Sequence, residues 1–291
     1  MGQGRGGIKG AYATVTFPDP NVIYANRAIW SITNPMLRYA IAALVCLATP
    51  ALAEIPKNLA RADVVSGWRQ GATHVAGLTI RMAPGWHTYW RAPGDSGIPP
   101  SFNWSGSSNI AHVAVRFPVP EVLDQYGMRS IGYTDEVTFP LLIRTRDAKA
   151  PIRLRGEISI GVCYEICVPV TLDVSAELSA SGKRDRALAR LLKDQPKDGG
   201  TLSCDISPME DGLRMTASTT LPRMQGEEVA VIETGDAEVW VSKPELTRQG
   251  GRLVAEVEMV PPSAKPFALA RSSVRMTVIA RGRAVEMVGC R

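Results

Sequence analysis

Beyond residue 53 the sequence has no run of apolar residues near the roughly 20 that a membrane-spanning helix needs, so no membrane conduit is written there. It has only three histidines (His74, His87, His112), none within a few residues of a cysteine, so the spacing of a zinc site is missing. There is no Cys-x-x-Cys of the thioredoxin kind, and no cofactor or metal is expected from a motif. No basic run interleaved with aromatics occurs either, which removes nucleic acid as a partner. Asp95 and Ser96, in Pro93-Gly94-Asp95-Ser96-Gly97, sit in a Gly/Pro-rich turn and do not make a hydrolase.

What is present begins with an export signal. Met36–Ala53 has a basic start, an apolar core of about a dozen residues and an Ala51-Leu52-Ala53 ending, the pattern of a secretory signal peptide cleaved after Ala53. Residues 1–35 show no sustained pattern, and translation is expected to start at Met36. The leader, residues 1–53, is set aside for fold reasoning. Without its four basic residues (Arg5, Lys9, Arg27, Arg38) and one acid (Asp19), 29 basic stand against 27 acidic residues, so the high overall pI carries little meaning.

The rest alternates. Leu78, Ile80 and Met82, then Val113, Val115 and Phe117, then Val137, Phe139 and Leu141 recur at strand period between Gly, Pro, Asp and Asn. An all-β sandwich over residues 54–180 follows. The rhythm breaks at 181–200, where Lys183–Lys193 reads as a short helix stopped by Pro196 and Gly199-Gly200, a linker. Strands resume with Val229–Ile232, Val239–Val241, Leu253–Met259 and Val274–Ala280, which predicts a second, smaller β-sandwich over 201–291.

Four cysteines remain after the leader, and an even count in an exported chain favours disulfides. Ile158, Ile160 and Val162 alternate into Cys163-Tyr164-Glu165-Ile166-Cys167, and Val168, Val170, Leu172 and Val174 alternate out of it, a hairpin whose three-residue loop makes Cys163 and Cys167 cross-strand neighbours. Periodicity places both on the wetter face, where a disulfide would be reducible. No Lys, Arg or His next to them lowers a thiol pKa, and Glu165 between them raises it. Three readings stay open: an exchanging pair, a structural staple in a non-catalytic interaction module, and a soft-metal site for copper completed by Met128 or a histidine. Cys204 and Cys290 bracket the second region, and a disulfide between them would close a loop worth roughly 4 kcal/mol.

The ordered set Trp86-His87-Thr88-Tyr89-Trp90, Tyr126–Leu141 and the cysteine hairpin followed by Pro169 resembles the N-terminal periplasmic domain of the DsbD and ScsB family over most of Gly67–Leu178. The resemblance implies an immunoglobulin-like fold and a protein-disulfide reductase component in the periplasm. It implies that Cys163 and Cys167 exchange electrons with thioredoxin-like donors and acceptors, with Cys167 forming the mixed disulfide. The membrane conduit would lie on a separate protein. It further implies that Asp124, Gln125 and Tyr126, in the loop before Gly127, cap the pair beside Tyr164 and Glu165. ScsB-like members carry a second immunoglobulin-like domain and are linked to copper tolerance. The aromatics Trp86, Tyr89, Trp90, Phe102 and Trp104 suit a docking face less well than core packing.

Overall fold

A computed structural model describes residues 58–94, 97–125, 127–180 and 182–291, the side chain of Gln125 excepted. The leader and its cleavage site lie outside the described residues, as do Asp95, Ser96 and Tyr126. The fold is all-β and immunoglobulin-like. Its first half holds β1 (Ala60–Gln70), β2 (Thr73–Met82), β3 (His87–Gly94), β4 (Ser101–Asn103), β5 (Ile110–Val115), β6 (Glu121–Gln125), β7 (Met128–Thr134), β8 (Glu136–Thr145), β9 (Ile152–Cys163) and β10 (Cys167–Leu178). After helix α1 (Arg186–Leu191) come β11 (Lys197–Asp198), β12 (Ser203–Pro208), β13 (Leu213–Thr220), β14 (Val229–Glu233), β15 (Trp240–Val241), β16 (Glu245–Gln249), β17 (Arg252–Val260), β18 (Arg275–Ala280) and β19 (Arg283–Val288).

Four sheets result. Sheet I runs β1-β2-β8-β5 and sheet II runs β10-β9-β3-β7-β6, with β4 added to β9. They face each other because alternate residues of their strands are apolar: Leu78 stands opposite Phe139 and Ile80 opposite Val137 in sheet I, and Ile158, Ile160 and Val162 answer from sheet II. Each such side chain contributes about 1.5–3 kcal/mol when fully buried. Sheet III runs β11-β19-β18-β14, and sheet IV runs β12-β13-β17-β15 with β16 on β17. Their core gathers Met215, Ala217, Ala255, Val257, Met276 and Val278.

Sheet III is covered on both faces. Ala230 and Ile232 of β14 enter the core shared with sheet IV, whereas Val229 and Val231, with Ile279 and Ala284, join the core of the first half. That is why Val229-Ala230-Val231-Ile232 is a continuous apolar run and not an alternating one. The stretch expected to be a plain linker is also anchored. Asp185 caps α1 by accepting from Leu188 N at 2.7 Å, the helix is shorter than the 183–193 pattern suggested, and Leu188 packs against Trp68 and Val75. Next, β11 pairs in parallel with β19.

Candidate functional site: a hairpin disulfide under a tyrosine

The hairpin forms in the register its alternation demands, from Leu178 opposite Ile152 up to Cys167 opposite Cys163. Tyr164, Glu165 and Ile166 make the loop, closed by Tyr164 N donating to Ile166 O at 3.1 Å. A disulfide joins Cys163 to Cys167, with Cα atoms 4.1 Å apart.

The two sulfurs do not share a wet face, and here the sequence expectation is corrected. Cys167 is exposed, but Cys163 is 1% exposed. The cover comes from β3, which lies on β9 with His87 opposite Cys163. Two residues on, Tyr89 is itself 2% exposed; its hydroxyl donates to Cys163 Sγ at 3.0 Å and lies 3.2 Å from Cys167 Sγ. Two glycines make room for the ring. A Cβ at Gly161 would stand 3.2 Å from the Tyr89 ring and 2.9 Å from Ile98, and one at Gly97 would stand 2.6 Å from the ring. Thr88 ties the two strands by donating its hydroxyl to Gly161 O at 2.8 Å.

Burial sets the protonation of this layer. It raises the Tyr89 phenol above its ordinary value, so the group stays a hydrogen-bond donor at neutral pH. It lowers His87, which stays neutral, meets Tyr89 edge-on with ring centres 5.4 Å apart, and leaves Nε2 without a hydrogen-bond partner. Around Cys167 the surface is apolar: Tyr164 and Ile166 are each 51% exposed and Ile98 is 39% exposed, with Trp86 buried beneath Tyr164 at 6.0 Å between ring centres.

Of the other expected site residues, Glu165 is exposed at the hairpin tip. Asp124 and Gln125 are not in a loop. They end strand β6, where Asp124 stands opposite Arg129 and Gln125 opposite Met128, and the chain turns through Gly127 at φ 79°. Strand pairing wins because Glu121–Gln125 has a complementary partner in Met128–Gly132 across so short a turn. Sheet order puts β7 and β3 between β6 and β9, and among the described residues no hydrogen bond or ion pair joins Asp124 to the cysteines. The sequence offers His87 only among the histidines that could complete a copper site and Tyr89 only as a core-packing or docking aromatic, and neither is expected to cover Cys163. Their signal was the odd-position alternation across from Gly161.

A second disulfide joins Cys204 to Cys290, with Cα atoms 5.4 Å apart, and both residues belong to the core between sheets III and IV. Among the described residues, no three His, Cys, Asp or Glu side chains gather as a metal-holding group. A cavity of about 700 Å³ opens where Arg91–Gly94 of β3 approach β14, and neither Cys163 nor Cys167 lines it.

An immunoglobulin-like sandwich carrying a half-covered disulfide at the tip of one hairpin fits a thiol-disulfide exchange module. Residues 57–178 match the family "Thiol:disulfide interchange protein DsbD, N-terminal", and this segment is similar to that domain, which supports that class. The crystal structure of the N-terminal periplasmic domain of ScsB from Proteus mirabilis shares the fold, with a TM-score of 0.59 at 21% identity. That likeness covers 81% of this chain and 95% of the other, so it extends beyond the 57–178 segment. No curated protein matches the chain.

Proposed function

We propose that the protein is a periplasmic electron carrier in which Cys163 and Cys167 exchange with thioredoxin-like partners. The observation that carries this reading is the asymmetry of the pair: one sulfur open to attack, the other buried against a phenol hydroxyl. A thiolate of a reduced partner attacks Cys167 Sγ and forms a mixed disulfide, and the Cys163–Cys167 bond breaks with its electron pair passing to Cys163. The Tyr89 hydroxyl, already bonded to Cys163 Sγ, then faces a thiolate, to which such a bond is stronger. The partner's second thiolate attacks its own sulfur in the mixed disulfide and releases Cys167 as a thiolate. Two electrons have moved from the partner's dithiol, which is now a disulfide, and water supplies the protons that the new thiolates take up. The reverse sequence hands the electrons to an oxidised acceptor.

The apolar rim of Tyr164, Ile166 and Ile98 is the docking surface in this reading, and Glu165 borders it. The division into residues 54–180, 181–200 and 201–291 belongs to the same proposal, with Cys204–Cys290 as the structural bridge of the second domain. So does removal of the leader after Ala53, which an intact mass beginning at Glu54 would support and one retaining Met36–Ala53 would refute.

The test is a reductive titration with site-resolved alkylation. Cys163–Cys167 should open first, at a potential well above about −300 mV, while Cys204–Cys290, held within a core, persists. Co-reduction of both bridges, or a hairpin potential below that value, would make the hairpin disulfide a staple.

A further inference from the structure

Tyr89 is the last residue of β3 before its ladder lapses. It pairs with Gly132, and the next pairing is Gly94 with Ser130, so β3 advances five residues while β7 advances two. Toward β9, among the described residues, the one ladder pair of β3 is His87 with Cys163. Backbone register therefore fixes the chain up to Tyr89 and again at Gly94, but not between them. The residues that follow are held by their side chains. Trp90 is wholly buried in the core of the first half, and the Arg91 guanidinium lies 4.0 Å from its ring centre. Arg91 then reaches out of its own half. Its Nε and Nη2 donate to the Glu233 carboxylate of β14 at 3.0–3.2 Å, and Nη2 also meets Glu286 of β19. Glu286 is fixed in turn by Arg275 at 3.0 Å and the Thr277 hydroxyl at 3.3 Å. The side chains of Arg91, Glu233 and Glu286 are only 18–22% exposed, so solvent screens these pairs less than it would at an open surface.

We infer that Arg91 is a positioning residue for the redox pair: by tying the bulged end of β3 to Glu233 and Glu286, it holds the Tyr89 hydroxyl against both sulfurs. The second half of the chain thereby tunes the disulfide without touching it. This inference rests on the reading of Cys163–Cys167 as the exchanging pair. Its chemistry is the difference between the two redox states. Reduction adds two electrons and turns the disulfide sulfurs into thiol or thiolate, and a phenol donates more strongly to a thiolate than to a disulfide sulfur. A well-placed Tyr89 thus favours the reduced form and raises the potential, and a displaced one lowers it.

The experiment equilibrates the full-length protein with dithiothreitol buffers and reads the hairpin by alkylation, for Arg91→Met, Glu233→Gln and Tyr89→Phe singly and in pairs. Glu233→Gln keeps the Arg91 contact with Glu286, and so covers the case in which Arg91→Met fails to fold. Each of the two ion-pair variants should lower the reduction equilibrium about threefold, a fall of about 14 mV. Neither should shift it further in the Tyr89→Phe background. An unchanged potential alongside a lowered melting temperature would show that the ion pairs only cement the two halves, and would overturn the inference. The same shift persisting with Tyr89→Phe would overturn it too, because the effect would not pass through the hydroxyl. The wild-type potential judges the exchange reading separately, since Arg91 can move the potential of an inert bridge as well.

Discussion

Cys163→Ala should accumulate a covalent complex with a thioredoxin-like protein through Cys167, and Cys167→Ala should yield little or none. The contrast follows from burial more than from intrinsic thiol chemistry. In the first variant the remaining sulfur is exposed beside Tyr164 and Ile166, and no second thiol is left to resolve a mixed disulfide. In the second variant the remaining sulfur lies beneath the Tyr89 ring with His87 opposite it in the ladder, and an attacking sulfur finds no approach. Non-reducing electrophoresis of a periplasmic extract incubated with each variant, followed by mass mapping of the joined cysteines, reads the outcome. Equal trapping by the two variants would sink the assignment of Cys167 as the sulfur under attack. No trapping by either, with Cu(I) held tightly by the reduced wild type, would replace the carrier with a copper protein.

Acid should destabilise the fold by about 3 kcal/mol through one histidine. His74 of β2 is fully buried and neither ring nitrogen has a hydrogen-bond partner, so the imidazole is accommodated only when neutral. Burial first, and then the Arg69 charge opposite it in the β1–β2 ladder, bring its pKa from 6.5 down to about 4. Arg69 cannot swing away easily, because its Nη1 donates to Ala148 O at 2.6 Å and Ala150 O at 3.1 Å. The unfolded chain takes up a proton near 6.5 and the folded one only near 4. Stability is therefore complete above pH 6.5, declines between 6.5 and 4, and flattens below, at about 1.4 kcal/mol for each unit of difference. His87 acts in the same direction. Urea unfolding from pH 7.5 to 4 should show this slope, and His74→Leu, which replaces an unbonded ring with an apolar side chain, should remove most of it. A His74→Leu variant with the same acid slope as wild type would place the titration elsewhere.

The hairpin was legible because twelve-residue strands with clean alternation leave one register possible. A slip of one residue would turn Ile158, Ile160 and Val162 out of the core. The covering of Cys163 was not legible. Alternation reports two faces of one strand and says nothing about a ring laid over the outer face from β3, although Gly161 in the strand and Gly97 beyond β3 are the small residues such a ring needs. Similarly, Val229–Ile232 was recognisable as a strand, but its two coverings were not, since four apolar residues in a row do not say what lies on each side. The β6 segment was misread for a different reason. Glu121-Val122-Leu123-Asp124-Gln125 is only partly alternating, and its strand character comes from the partner across the turn.

The shared wall made by sheet III also bears on when the molecule becomes complete. A chain is made from its N-terminus, and its first domain ordinarily folds while the remainder is still emerging. Here the first core waits for Val229, Val231, Ile279 and Ala284, and Arg91 waits for Glu286. Until those residues arrive, the flank of the first sandwich presents apolar surface and β3 lacks its outside anchor. Strands β18 and β19 therefore act as a latch: a truncation that removes them, Ala284 and Glu286 included, should leave the first core open on that flank and Arg91 without Glu286.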